Sequence, residues 1–209
     1  MKKTLFTSII LVVLLFSLAL SASADFNYSS VFYSTDGYRT STTSATIYLQ
    51  NKINNTSIYS NHFVTAVSYW NNAGLTDRTY VVNTSSSSYI YNEDFNYSSD
   101  VSIQEEGADG TVAFFEPLIQ NTVYCSCHKT RSFYIALNDA EFSGLTSTYK
   151  RGVITHELGH ALGLLDLDKN GTTTYQDRSI MSYASDLSSK ATPYTLDVTN
   201  ANECWSPHS

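Results

Sequence analysis

His156 and His160 stand four residues apart in the stretch His156-Glu157-Leu158-Gly159-His160-Ala161-Leu162-Gly163-Leu164-Leu165-Asp166. On a helix, residues i and i+4 share a face, so both imidazoles can reach one zinc ion. Neutral imidazole nitrogens bind zinc at about 2.0–2.1 Å, and a carboxylate oxygen at a similar distance. Gly163 lets the backbone leave the helix sharply, because glycine enters the left-handed region without penalty. Asp166, just past that bend, then becomes a third protein ligand and leaves a fourth position for water. A zinc site of this kind brings the pKa of its water towards about 7 and polarises a carbonyl as a Lewis acid. Glu157, next to the first histidine, is placed to take the water proton and pass it to a leaving amine. An aspartate ligand adds negative charge beside the ion. It should make zinc a weaker Lewis acid than three histidines would, unless charges in the cleft offset it.

Met181 lies fifteen positions after Asp166, inside Ser179-Ile180-Met181-Ser182-Tyr183. Taken together, these residues resemble the metzincin zinc peptidases, whose signature is H-E-x-x-H-x-x-G-x-x-H/D followed by a methionine turn. Most metzincins carry histidine as third ligand; the aspartate resembles the small secreted snapalysins, and the turn resembles that of serralysins and astacins. The resemblance implies an α/β (α+β) fold: a twisted mixed β-sheet, a long active-site helix and a short C-terminal lobe. It implies that Met181 forms an apolar floor under the zinc. It also implies that Tyr183 approaches the metal or stabilises a tetrahedral oxyanion. An ordinary core or surface tyrosine is the alternative in a chain with 16 of them. The resemblance is specific from about residue 152 to 183. It is looser, and matrixin-like, over a helix, several strands and the Gly110-Thr111-Val112-Ala113 strand ending at Pro117.

A second metal reading competes for Asp166. Asp166, Asp168, Asn170 and Gly171, with Asp177 at the twelfth position, have the spacing of an EF-hand calcium loop. Calcium would then take Asp166, and zinc would need Asp168, His128 or His208 instead. A calcium site sharing Asp168, Asn170 and Asp177 beside the zinc site is a further option, as is a turn without metal. His62, His128 and His208 otherwise read as ordinary histidines. Cys125-Ser126-Cys127-His128 lacks the second cysteine pair of a structural zinc site. In an oxidising compartment, a disulfide from Cys125 or Cys127 to Cys204 is preferred over a strained Cys125–Cys127 ring.

The elements that must position these groups follow from periodicity. Ala45 to Gln50 alternates as a strand, and Ser60 to Asn72 reads as a helix with Ser60 as N-cap and Trp70 as a core anchor. Short strands are expected at Thr79–Val82, Tyr89–Tyr91 and Val101–Gln104. A turn at Asp109-Gly110 then leads into a strand that Pro117 closes. Phe133 to Asn138 resembles the edge strand over the cleft in metzincins, which can pair an extended peptide through main-chain hydrogen bonds; an ordinary strand is the alternative. Thr146 to Leu162 is the active-site helix, with Val153, Ile154 and Leu158 towards the core. Ser85 to Ser88 is a loop, and a last helix is expected near Thr195 to Cys204.

Lys2 and Lys3, an apolar run from Leu5 to Leu20, and Ser21-Ala22-Ser23-Ala24 make a signal peptide over residues 1–24. The expected mature domain is 25–209, with an upper lobe to about 163 and a lower lobe from 164. Losing Lys2 and Lys3 from 12 basic residues leaves 10 against 19 acidic ones, a charge of −9. That acidity argues against nucleic acid or an anionic membrane as partner. The expectation is a secreted, extracellular, monomeric zinc endopeptidase acting on protein or peptide substrates. The alternatives are a catalytically silent binding module of the same fold, or a zinc hydrolase of a non-peptide amide.

Overall fold

Along Ala45–Asn51 (β2), Ile47 and Leu49 are fully buried while Tyr48 between them is exposed, the signature of a strand with one face on the core. The computed structural model describes residues 30–32, 45–54, 56–59, 61–76, 78–93, 111–122 and 128–204. Five strands run parallel: Ser30–Phe32 (β1), β2, Arg78–Val82 (β3), Tyr89–Glu93 (β4) and His128–Asn138 (β6). Ala113–Thr122 (β5) is antiparallel to β6. The order is β3-β2-β4-β6-β5, with β1 pairing the start of β6 on the same edge as β4. The architecture is therefore α/β, a mixed sheet with helices packed on it.

Two expectations about strands are corrected. Phe133–Asn138 is not an edge: β6 is held by β4 on one side and by β5 on the other. Its near-continuous apolar run, with Phe133, Ile135, Ala136 and Leu137 all at 0% exposure, marks an interior strand buried on both faces. The antiparallel edge is β5, and it continues through Pro117 to Thr122 instead of closing there. Proline is tolerated at an edge or a bulge, where its missing donor costs no ladder bond. The β5–β6 register is irregular between Pro117 and Gln120.

His62–Asn71 (α2) and Ser147–Ala161 (α4) pack side by side on the sheet face carrying Ile47, Leu49, Ile90 and Phe133. Trp70 of α2 is fully buried and donates from Nε1 to the Thr155 carbonyl of α4 at 2.8 Å. Tyr80 of β3 donates to the Leu158 carbonyl at 2.5 Å. A helix from one layer and a strand from the other thus grip the middle of α4. The N-cap of α2 is Asn61, without a side-chain cap bond; Ser60 lies outside the described residues. Two short helices, Thr56–Tyr59 (α1) and Asp139–Phe142 (α3), were not expected. Thr195–Cys204 (α5) closes the described chain where the last helix was expected. Residues 1–24, Val101–Gln104, the Asp109-Gly110 turn, Cys125, Cys127 and His208 lie outside the described residues. So do the side chains of His128 and Cys204. Among the described residues, no helix is long and apolar enough to cross a membrane.

Candidate metal centre

Helix α4 starts at Thr146, whose hydroxyl accepts from the Tyr149 amide at 3.3 Å, and runs four turns to its end at Leu162. Val153, Ile154 and Leu158 face the core, leaving His156 and His160 on the opposite, half-buried face. Gly163 has φ +90. Its amide bonds the His160 carbonyl at 2.9 Å, and the Leu164 amide bonds the Gly159 carbonyl at 3.1 Å. This paired closure is the Schellman motif, which needs a left-handed residue at that point. The bend has two results. It turns the Leu164 carbonyl onto His160, and it brings Asp166 back over both histidines.

Asp166 Oδ1 lies 2.9 Å from His156 Nε2 and 3.3 Å from His160 Nε2. The far ring nitrogens are committed elsewhere: His156 Nδ1 to the Ile180 carbonyl at 2.9 Å, His160 Nδ1 to the Leu164 carbonyl at 2.8 Å. A carbonyl can only accept, so each Nδ1 must carry its proton and donate. In the neutral ring, each Nε2 is then left with a lone pair aimed at Asp166. With neutral rings, Asp166 Oδ1 is a buried oxygen that accepts no hydrogen bond. Three lone-pair donors facing one another are mutually repulsive unless a cation sits among them. Tetrahedral zinc with bonds of about 2.0–2.1 Å places its ligand atoms roughly 3.3 Å apart; the His160–Asp166 distance equals this and the His156–Asp166 distance is 0.4 Å shorter. Among the described residues, this trio is the group of three or more acidic, histidine or cysteine side chains able to hold a metal. The residues present fit zinc.

The electrostatics agree. Burial alone would keep His156 neutral, but the Asp166 carboxylate opposite and nearby Glu157 raise its pKa to about 9. Burial would likewise favour a protonated Asp166; the two imidazoles instead hold it far below the usual carboxylate range. The site demands positive charge, as a proton or as a metal.

Glu157 is buried, with Oε2 4.0 Å from His160 Nε2. Tyr183 is 64% exposed, its ring 6.2 Å from that of His156, so it stands at the mouth and not in the core. Phe115, on edge strand β5, lies 5.7 Å from the His160 ring on the other flank. Met181 is 1% exposed beneath the helix. A Cβ on Gly159 would come within 2.4 Å of Met181 Sδ and 3.4 Å of Trp70. Gly159→Ala is expected to destabilise the protein by about 1–3 kcal/mol through overpacking. A urea midpoint equal to wild type would show that Met181 has room to move.

The calcium reading of the loop gains no support. Asp166 goes to the histidines. Asp168, at φ +60, accepts from the Thr172 and Ser182 hydroxyls at 2.6 Å and from the Thr174 and Tyr175 amides at 3.1 and 3.0 Å. Both its oxygens serve protein donors, so they hold the loop closed and are not turned to an ion. Leu167 extends the same closure, pairing with Met181 and Tyr183 through main-chain bonds of 2.9 and 3.0 Å. Among the described residues His62, on α2, joins no group able to hold a metal, and its pKa is lowered by partial burial and by nearby Lys150 and Arg151.

Two residues that matter here were not singled out from the sequence. Asp197, in the first turn of α5, is 1% exposed and accepts from Ser179 Oγ, the Ile180 amide and the Tyr194 amide at 2.5–2.9 Å. It therefore fixes the residue whose carbonyl orients His156. Lys169 pairs with the outer oxygen of Asp166. An acid in the first turn of a helix is usually only a dipole partner, and a loop lysine three residues after an aspartate is commonplace.

No protein-family model matches the sequence. No curated protein matches it either. Among solved structures the chain is similar to high choriolytic enzyme 1, a hatching enzyme zinc-protease from Oryzias latipes (Medaka fish). The two share 16% identity at a TM-score of 0.40, over 76% of this chain and 89% of that one. An overlap that loose carries no argument about the site, so function has to be read from the donor geometry.

Proposed function

We propose that this chain is a secreted, zinc-dependent endopeptidase of metzincin type that hydrolyses peptide bonds in protein or peptide substrates. One observation carries the reading: two imidazole Nε2 atoms, each ring held by a carbonyl at Nδ1, and one buried carboxylate oxygen converge on a common point. His156, His160 and Asp166 would hold the ion. Zinc, when bound, supplies Lewis acidity, polarising a carbonyl and acidifying a water. The chain's own groups do the rest. Glu157, one residue from the first ligand and shielded from bulk solvent, accepts a proton at its carboxylate and returns it to the leaving amine. Tyr183, at the rim, presents its hydroxyl towards the developing oxyanion. Edge strand β5, carrying Phe115 beside His160, is the main-chain rail for an extended substrate. Secretion rests on the signal-like residues 1–24, and a monomer is the simplest assembly.

The test is digestion of casein by the purified mature chain. Activity is expected to vanish with a zinc chelator and to return on adding one equivalent of zinc. Cleavage that persists after complete zinc removal, or protein that takes up no zinc, sinks the reading.

A further inference from the structure

The loop after Asp166 carries a cation that the chemistry above does not use. Lys169 Nζ lies 2.8 Å from Asp166 Oδ2, the oxygen turned away from the histidines. The loop is shaped to put it there. Asp168 is occupied by its four donors and sits in the left-handed region, so the chain reverses and Lys169 comes back over Asp166. The same ammonium lies 5.9 Å from the centre of the Tyr183 ring.

The two ends of this pair differ. Lys169 is 57% exposed and Asp166 is 12% exposed. As a contribution to folding, a pair with one end in solvent is worth little. Its field on the buried carboxylate is screened much less. A carboxylate has two oxygens and a full negative charge, whereas a third imidazole would bring one nitrogen and no charge. An ammonium on Oδ2 removes both differences at once.

We propose that Lys169 is a positioning residue for the metal centre: it leaves Asp166 only Oδ1 to offer and offsets the carboxylate's charge. An aspartate-liganded site then keeps the Lewis acidity of a neutral ligand set. The inference rests on the zinc-site reading.

The test compares wild type, Lys169→Met and Lys169→Arg. Lys169→Met is expected to hold zinc as tightly as wild type or more tightly in competition with a chromophoric chelator. Its kcat on a peptide should fall by about 10–100-fold with KM little changed, the range seen when an outer partner of a ligand is lost. Lys169→Arg, which keeps the charge, is expected to restore kcat. Wild-type kcat in Lys169→Met overturns the proposal. So does a loss of zinc affinity in step with activity, because Lys169 would then merely hold the ligand in place. Cobalt(II) uptake gives a readout without catalysis. Freeing Oδ2 should raise the coordination number and weaken the visible band in Lys169→Met alone, and an unchanged band counts against the proposal. A wild type that binds cobalt but cleaves nothing would defeat the peptidase reading while leaving this spectral comparison to judge Lys169.

Discussion

Glu157→Gln is expected to cut peptide hydrolysis by about 10²–10⁴-fold while zinc stays bound at one per chain, the usual worth of a positioned general base. Glutamine keeps the shape and the hydrogen-bonding reach of the side chain but cannot accept the proton. Because Glu157 is buried beside His160 and is not itself one of the three converging donors, its replacement should not disturb the metal. Steady-state rates on a chromogenic peptide, paired with zinc analysis of the same samples, check both halves. A variant with a full zinc load and more than a tenth of wild-type turnover would mean that the proton goes elsewhere.

Zinc uptake is expected to tighten by about tenfold per pH unit from pH 7 to 9, roughly a hundredfold in all, and to level off above that. The sign follows from His156. Its pKa is raised from an ordinary 6.5 to about 9 by Asp166, despite burial. Below pH 9 the metal-free ring therefore carries a proton on Nε2, which zinc must displace; above pH 9 there is none to displace. Asp166 stays ionised throughout, since its pKa is held well below the usual range. The same pair stabilises the metal-free fold fully below about pH 6.5, and this contribution is lost as pH rises through 9. Chelator competition across this range measures the slope. Asp166→Ala should weaken zinc binding and shift the pH-dependent region downward, because the partner that raises the His156 pKa is gone. A flat profile in wild type would contradict the charge balance of the site.

The helix and the shared face of its two histidines were legible in the sequence because a four-residue spacing has one geometric meaning on a helix. Gly163 marked the bend, and the bend fixed where Asp166 had to go. The calcium alternative shared the same letters and could not be dismissed from spacing alone. Only the bonds that fill both oxygens of Asp168 show what those letters do. The misreading of Phe133–Asn138 has a similar origin. Interior and edge strands differ in what lies on each side, and β5 reaches β6 by a pairing that no local pattern encodes. Lys169 and Asp197 were not legible because their roles depend on contacts made after the chain has folded back. Asp197 meets Ser179 and Ile180 across 17–18 residues.

That last contact bears on how firmly His156 is held. His156 is aimed by the Ile180 carbonyl, and Ile180 is pinned by an acid in the final described helix. A chain that stops at Tyr183 already contains His156, His160 and Asp166, yet lacks the clasp that steadies the first of them. Such a chain is expected to hold His156 more loosely than one that includes the Asp197 helix.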